Sequence, residues 1–257
     1  VFTDAVKSAI QRFLRGLGLE VQRLKNADVE QQVVKNVLNL TGATVVLDVG
    51  ANIGQFGDQL LRSGFKGTIV SFEAVPAVHR RLAQHARERS ERWIVAPCVA
   101  LGSRRGQIKI NVSANSVSSS VLPMRPEHVD AAPQSRYVDQ QTVDVERLDE
   151  IAIGLIPASE SLLLKIDTQG YEMEVLKGAE GLLHRAVAIQ LELSLVPLYD
   201  GAPTFVEMIS LLESKGYDLF NFVPAFKDKR IGRLLQVDGF FVRRGLDSRR
   251  NPPPAAV

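Results

Sequence analysis

The sequence predicts an α/β domain, a doubly wound sheet that is mostly parallel, closed by a C-terminal antiparallel hairpin and preceded by N-terminal helices. Three observations predict it. From residue 45 onward, short runs of Val, Ile and Leu alternate with helical segments, and their near-continuous apolar character means burial on both faces, as in a parallel sheet covered by helices. The stretch VVLDVGANIG (45–54) climbs to Asp48 and then breaks into glycines ahead of a helix. Near the end, YDLFNFVP (217–224) and LLQVDGFFVRR (234–244) are joined by a link too short for a parallel crossover, so they pair antiparallel.

Residues 1–40 read as helices, with Val6, Ile10, Phe13, Leu14 and Leu17 on one stripe and a break at Gly16 and Gly18. Packing onto the main domain, a lid over its site or a homodimer contact would each bury that stripe. Acidic residues such as Asp4 interrupt its basic face, which disfavours a membrane-surface role. The main domain spans 41–245. Its strands are TVVLDV (44–49), TIVSFEA (68–74), RWIVAPCVA (92–100), SLLLKIDT (161–168) and VAIQLEL (187–193), with helices near 54–63, 76–89, 171–183 and 203–215. GQIKINVS (106–113) is an extra strand, followed by Ser-rich NSVSSSVLP (115–123) and a long loop to residue 135; YVDQQTVDVERLDEI (137–151) is another strand feeding a short helix. A loop of that length is either functional or a disordered surface segment. Residues 246–257, with three consecutive prolines, read as a disordered tail.

Composition narrows the function classes. Of 257 residues, 45% are hydrophobic and 23% charged, and no apolar run approaches the roughly 20 residues that cross a bilayer. Lys plus Arg number 31 against 29 Asp plus Glu, too even a balance for a nucleic-acid partner. The lone Cys98, in IVAPCVAL, fits a buried, inert thiol in a reducing, cytoplasmic setting.

A strand that runs into a glycine turn and a helix brings backbone N–H groups to the carboxyl edge of the sheet, where α/β domains bind ligands. A phosphate loop of the form GxxxxGK[ST] is absent after Gly50. A dinucleotide fingerprint needs GxGxxG, but Gly50, Asn52 and Gln55 occupy those positions. S-adenosylmethionine remains, its turn formed by Gly50, Ala51, Asn52 and Gly54, with Asp48 supporting the turn or reaching the methionine end. Glu73, in SFEA, accepts from the ribose hydroxyls in this reading, because a carboxylate takes two donors at once. On the structural alternative, Asp48 caps the turn and Glu73 is a solvated strand-end charge.

DVGANIGQF, FEAVP, the VALG containing Ala100, LLLKIDTQGYEMEVLKGA and IQLE together resemble the FkbM family of S-adenosylmethionine-dependent methyltransferases over roughly residues 43–243. The resemblance implies the class I, Rossmann-like methyltransferase fold with its antiparallel seventh strand, and O-methylation of a sugar or natural product. FEAVP stands where many relatives read FEP.

Alternation along the strands puts Lys165 and Asp167 on one face, and Gln190 and Glu192 likewise. Asp167 and Glu192 fall at the carboxyl ends of neighbouring strands, which suggests a Mg²⁺ site holding the acceptor hydroxyl. Alternatively one of them is the general base, or both bind substrate. Lys165, Tyr171 and Glu172 are candidate substrate contacts, with packing and the helix macrodipole as the structural alternatives for Tyr171 and Glu172. Of the histidines, only His128 lies in a loop able to reach the site, and it is the third catalytic candidate. Serines 116, 118, 119 and 120 are donors for cofactor or acceptor, or simply a polar loop. The expected activity is O-methylation of a sugar or glycan hydroxyl. A polyketide or lipid-linked hydroxyl, a NAD-dependent oxidoreductase and a non-catalytic partner protein are the alternatives. For Gly50→Val the expectation is lost cofactor binding, because a β-branched side chain would stand where the cofactor meets the backbone.

Overall fold

The structure is a computed structural model and describes residues 26–246. The stripe from Val6 to Leu17, the homodimer contact assigned to it and the tail beyond residue 246 lie outside the described residues. The first helix, α1 (Asn26–Thr41), leads into β1 (Val45–Val49), α2 (Gln55–Arg62), β2 (Thr68–Phe72), α3 (Pro76–Arg89) and β3 (Trp93–Val95). Next come β4 (Ala100–Leu101), β5 (Gly106–Ser113), α4 (Pro126–Ala131), β6 (Tyr137–Glu146), α5 (Leu148–Ile151), β7 (Leu162–Ile166) and α6 (Glu172–Lys177). The chain continues through β8 (Ala186–Ser194), α7 (Phe205–Ser214), β9 (Tyr217–Pro224), β10 (Lys227–Asp228), β11 (Arg233–Leu234) and β12 (Gln236–Arg243).

The central sheet has seven strands in the order β3-β2-β1-β7-β8-β12-β9. Neighbouring strands from β3 to β8 run parallel, and β12 lies antiparallel between β8 and β9. This is the class I sheet with its inserted antiparallel strand. Strands β1 and β7 are buried at every position, so each carries apolar side chains to both faces. On one face Val46, Ile69, Leu163 and Phe240 pack with Val34 and Val37 of α1, Leu60 of α2 and Leu82 of α3. On the other, Leu47, Leu164 and Ile189 pack with Leu148, Val175 and Met208. The described part of α1 is thus built into the core of the domain, and the boundary drawn at residue 41 does not separate two packing units.

Two strand and helix expectations need correction. RWIVAPCVA does not form one strand: β3 stops at Val95, two residues before Pro97, which has no N–H for the ladder. Residues 100–101 then join a second sheet, β4-β6-β5. The helix expected over 171–183 ends at Lys177, where Gly178 lies so close to the chain that a Cβ would come 2.0 Å from the carbonyl oxygen of Gly102. A short 3-10 turn, Glu180–Leu182, completes the span.

β5 and β6 pair antiparallel, with the Ser-rich loop and α4 between them. That loop is ordered by its own serines and by a backbone bridge between Asn111 and Ser120. Among the described residues, no helix is long and apolar enough to cross a membrane.

Candidate active site

At the carboxyl ends of β1, β2, β7 and β8 a cleft of about 320 Å³ opens. The turn after β1 forms one wall. Gly50 and Ala51 both donate their N–H groups to the Phe72 carbonyl at 3.0 Å, which ties the end of β1 to the end of β2. Asn52 then takes the left-handed conformation (φ 49°) and aims its N–H at Glu73 Oε2, 3.0 Å away. Glu73 Oε1 accepts from Val75 N at 2.8 Å. Burial pushes the Glu73 carboxyl above its ordinary value, and the Val75 and Asn52 N–H groups counteract that. Each oxygen keeps a lone pair for a further donor. Gly50, Ala51, Asn52, Glu73 and Ala100 all line the cleft, as the sequence pattern leads one to expect of a cofactor wall.

Two residues assigned to that wall stand elsewhere. Asp48 is fully buried below the cleft, 3.1 Å from Lys165 Nζ and accepting from Ser71 Oγ at 3.3 Å. Gly54 serves helix packing: its φ is 99°, and a Cβ there would come 2.8 Å from the Trp93 ring. Packing alone demands glycine at position 50, since a Cβ on it would stand 1.8 Å from the Asp167 carbonyl oxygen.

The opposite wall gathers the polar strand ends. Lys165 and Gln190 are register partners on β7 and β8. Burial opposes the Lys165 charge, yet Asp48 and Asp167 more than offset it and hold the ammonium protonated above its ordinary value. Asp167 and Glu192 do converge, through a residue the sequence reading overlooked: Gln169 Nε2 donates to Asp167 Oδ1 and to Glu192 Oε2, each at 2.7 Å. Gln169 is itself left-handed (φ 55°) and buried, with Tyr199 Oη donating to its Oε1 at 2.6 Å and Ser120 Oγ donating to its carbonyl at 2.7 Å. Gln236 Nε2 also donates to Glu192 Oε2, at 2.8 Å. Burial first, then the charges of Asp167 and Asp238, raise the Glu192 carboxyl well above its ordinary value.

This donor set does not fit a divalent cation. The facing oxygens of Asp167 and Glu192 already share an amide N–H₂, and the other Asp167 oxygen lies 3.4 Å from the Lys165 ammonium. Among the described residues, no group of three or more His, Cys, Asp or Glu side chains is arranged to hold a metal ion. The Mg²⁺ expectation for Asp167 and Glu192 is therefore not carried further.

His128 does not reach the cleft. Its ring packs against Tyr199 and Phe226 at 5.3 and 4.9 Å, Nδ1 lies 2.9 Å from Ser135 Oγ, and burial lowers its pKa to about 4. Tyr171 lines the cleft, but Glu172 does not: its Oε1 accepts from the N–H groups of Thr168 (2.9 Å) and Gly170 (3.0 Å). Burial raises the Glu172 pKa to about 7. Glu172 is thus the residue that shapes the loop bearing Gln169. Glu172→Ala should cost about 1–3 kcal/mol through the freed N–H groups, and hydrogen exchange at Thr168 and Gly170 should accelerate; protection equal to wild type would contradict this role.

Of the serines, Ser116, Ser119 and Ser120 line the cleft, and Ser116 Oγ accepts from Asn52 Nδ2 at 3.2 Å. One loop therefore touches both the glycine turn, through Ser116, and the Gln169 loop, through Ser120. Periodicity could not have found Gln169 or Tyr199, because neither lies in a strand or helix.

Comparison with known proteins adds a family. The model of the methyltransferase FkbM domain matches residues 48–219. Methyltransferase 1 of Beauveria bassiana is 27% identical over 190 residues, covering 67% of this chain and 71% of that protein. Methyltransferase sdnD of Sordaria araneosa is 26% identical over 208 residues, covering 72% and 77% respectively. Among solved structures, the O-methyltransferase TomG of Streptomyces achromogenes, in complex with SAM, aligns with a TM-score of 0.49 at 11% identity, covering 95% of this chain and 92% of that one.

Proposed function

The chain belongs to the FkbM methyltransferase family, and on that premise we propose that it is an S-adenosylmethionine-dependent O-methyltransferase acting on a hydroxyl of a sugar, glycan or related natural product. The observation that carries this reading is the facing of two walls across one cleft: the Gly50–Asn52 turn with Glu73 on one side, and the Asp167–Gln169–Glu192 group on the other.

The residues fit the cofactor. Glu73 retains acceptor capacity for two ribose hydroxyls, and Gly50 and Ala51 leave the backbone accessible beside Phe72 and Leu101, which offer apolar contact to a base. When bound, S-adenosylmethionine supplies an electrophilic methyl group on a sulfonium. The chain's task is to present the acceptor oxygen in line with that methyl and to take its proton. Glu192 suits the base role, because a carboxyl raised above its ordinary value returns more driving force on protonation than an unperturbed one. Gln169 holds Glu192 and Asp167 in fixed orientation, so that Asp167 can bind the acceptor while Glu192 receives the proton. A saccharide acceptor is favoured by the carboxylates and amides of this wall, which can accept from and donate to hydroxyl groups.

Calorimetric titration with S-adenosylmethionine and, separately, NAD tests the cofactor assignment. Binding is expected for the former alone, and Glu73→Gln should weaken it about tenfold or more, since one acceptor oxygen becomes a donor. Heat from NAD but not from S-adenosylmethionine would refute the reading.

A further inference from the structure

We propose that Glu30, Gln59, Gln190 and Asp238 form a second subsite of the cleft, which binds an uncharged hydroxyl group of the acceptor beside the one that is methylated. This rests on the acceptor reading given above and adds to it the place and chemistry of a second contact. Glu30 and Asp238 belong to α1 and β12, both outside the residues 48–219 that match the family, yet both line the cleft.

Gln59 Nε2 and Gln190 Oε1 make no close hydrogen bond among the described residues, although the side chains are only 9% and 1% exposed and both line the cleft; Gln59 Nε2 faces the Glu30 carboxyl, whose charged form it favours, without closing a well-formed bond to it. The orientation of Gln190 is set by its other amide atom, since Nε2 donates to Glu30 Oε1 at 3.0 Å. One unmet donor and one unmet acceptor thus line the same cleft, both beside the Glu30 carboxyl, and a buried polar group left unmet is destabilising. A hydroxyl answers both, because it donates one hydrogen and accepts another. An ammonium has no lone pair to offer Gln59, and a carboxylate has no hydrogen to offer Gln190.

Charge argues against an anion. Burial raises the carboxyls of both Glu30 and Asp238, and Asp238 is raised further by the charges of Glu30 and Asp167. The nearby cation, Lys165, is already paired with Asp48 at 3.1 Å and Asp167 at 3.4 Å. An anionic group entering here would meet carboxylates and an ammonium already neutralised, so carboxylated or phosphorylated acceptors are disfavoured. A polyol carries neighbouring hydroxyls at no such cost.

The test uses the full chain saturated with S-adenosylhomocysteine and three probes: methyl α-D-glucopyranoside, glucosamine and glucuronate. Equilibrium dialysis of labelled probe should show the neutral glycoside bound about tenfold more tightly than either charged sugar. Gln59→Leu and Gln190→Leu should each weaken it about tenfold, with affinity for S-adenosylhomocysteine unchanged. Equal binding of the charged sugars, no glycoside binding to the loaded protein, or full binding by folded leucine variants would overturn the subsite; the last result would mean that a resident water meets the two amides. Failure of the wild type to take up S-adenosylhomocysteine would instead defeat the cofactor assignment, and it is read separately.

Discussion

Glu192→Gln is expected to lower methyl transfer by about 10²–10⁴-fold while leaving S-adenosylmethionine affinity intact and making the protein more stable at neutral and alkaline pH. The two effects share one cause. Burial, Asp167 and Asp238 raise the Glu192 carboxyl well above its ordinary 4.5, so the folded protein holds that proton more tightly than the unfolded chain. The sign follows. The stability contributed by the protonated group is complete below the unfolded value of 4.5 and is lost as pH rises through the raised folded value. A neutral glutamine is spared that loss, so its gain in melting temperature should grow from nothing near pH 4 to its maximum above the folded pKa. Activity moves oppositely: the base must be deprotonated, so wild-type transfer should climb with pH over the same interval. Thermal denaturation across pH, paired with a radiolabelled methyl-transfer assay, checks both. A variant that transfers methyl at the wild-type rate would move the base role to Asp167.

Gly50→Ala should lower stability by at least about 3 kcal/mol, or about 6–12 °C in melting temperature for a chain of this size. At φ +77° any side chain is strained, and the added Cβ would overlap the Asp167 carbonyl oxygen at 1.8 Å. Relief requires the loops after β1 and β7 to move apart, which separates the two walls of the cleft. Gly42→Ala is the control, because Gly42 has φ +67° but nothing within 4 Å of its Cβ position. That variant carries the backbone strain alone, about 1 kcal/mol. Equal losses in the two alanine variants, measured by chemical denaturation, would remove the overlap argument. The expectation for Gly50→Val changes accordingly, since folding is at risk before cofactor approach is.

Much of the scaffold was legible because burial writes itself locally. Near-continuous Val, Ile and Leu in β1 and β7 declared strands covered on both faces, and period-two alternation placed Lys165 with Asp167 and Gln190 with Glu192. The strand of 92–100 was overextended because its apolar pattern outlasted the ladder that Pro97 interrupts. Glu73 and the Gly50–Asn52 turn were also legible, as a strand end and a break in an apolar run.

By itself, then, the sequence determined the element types, the sheet with its closing hairpin, and which strand ends carry carboxylates. These are properties of backbone conformation and burial, recorded within a few residues of one another. Only the tertiary structure decided that Gln169 joins Asp167 to Glu192, that Asp48 secures Lys165, that His128 packs away from the cleft, and that Glu30 meets Gln190 across 160 residues. The physical reason is that a side chain's partner depends on which strands become neighbours and how loops cross their ends, and no local spacing encodes that choice.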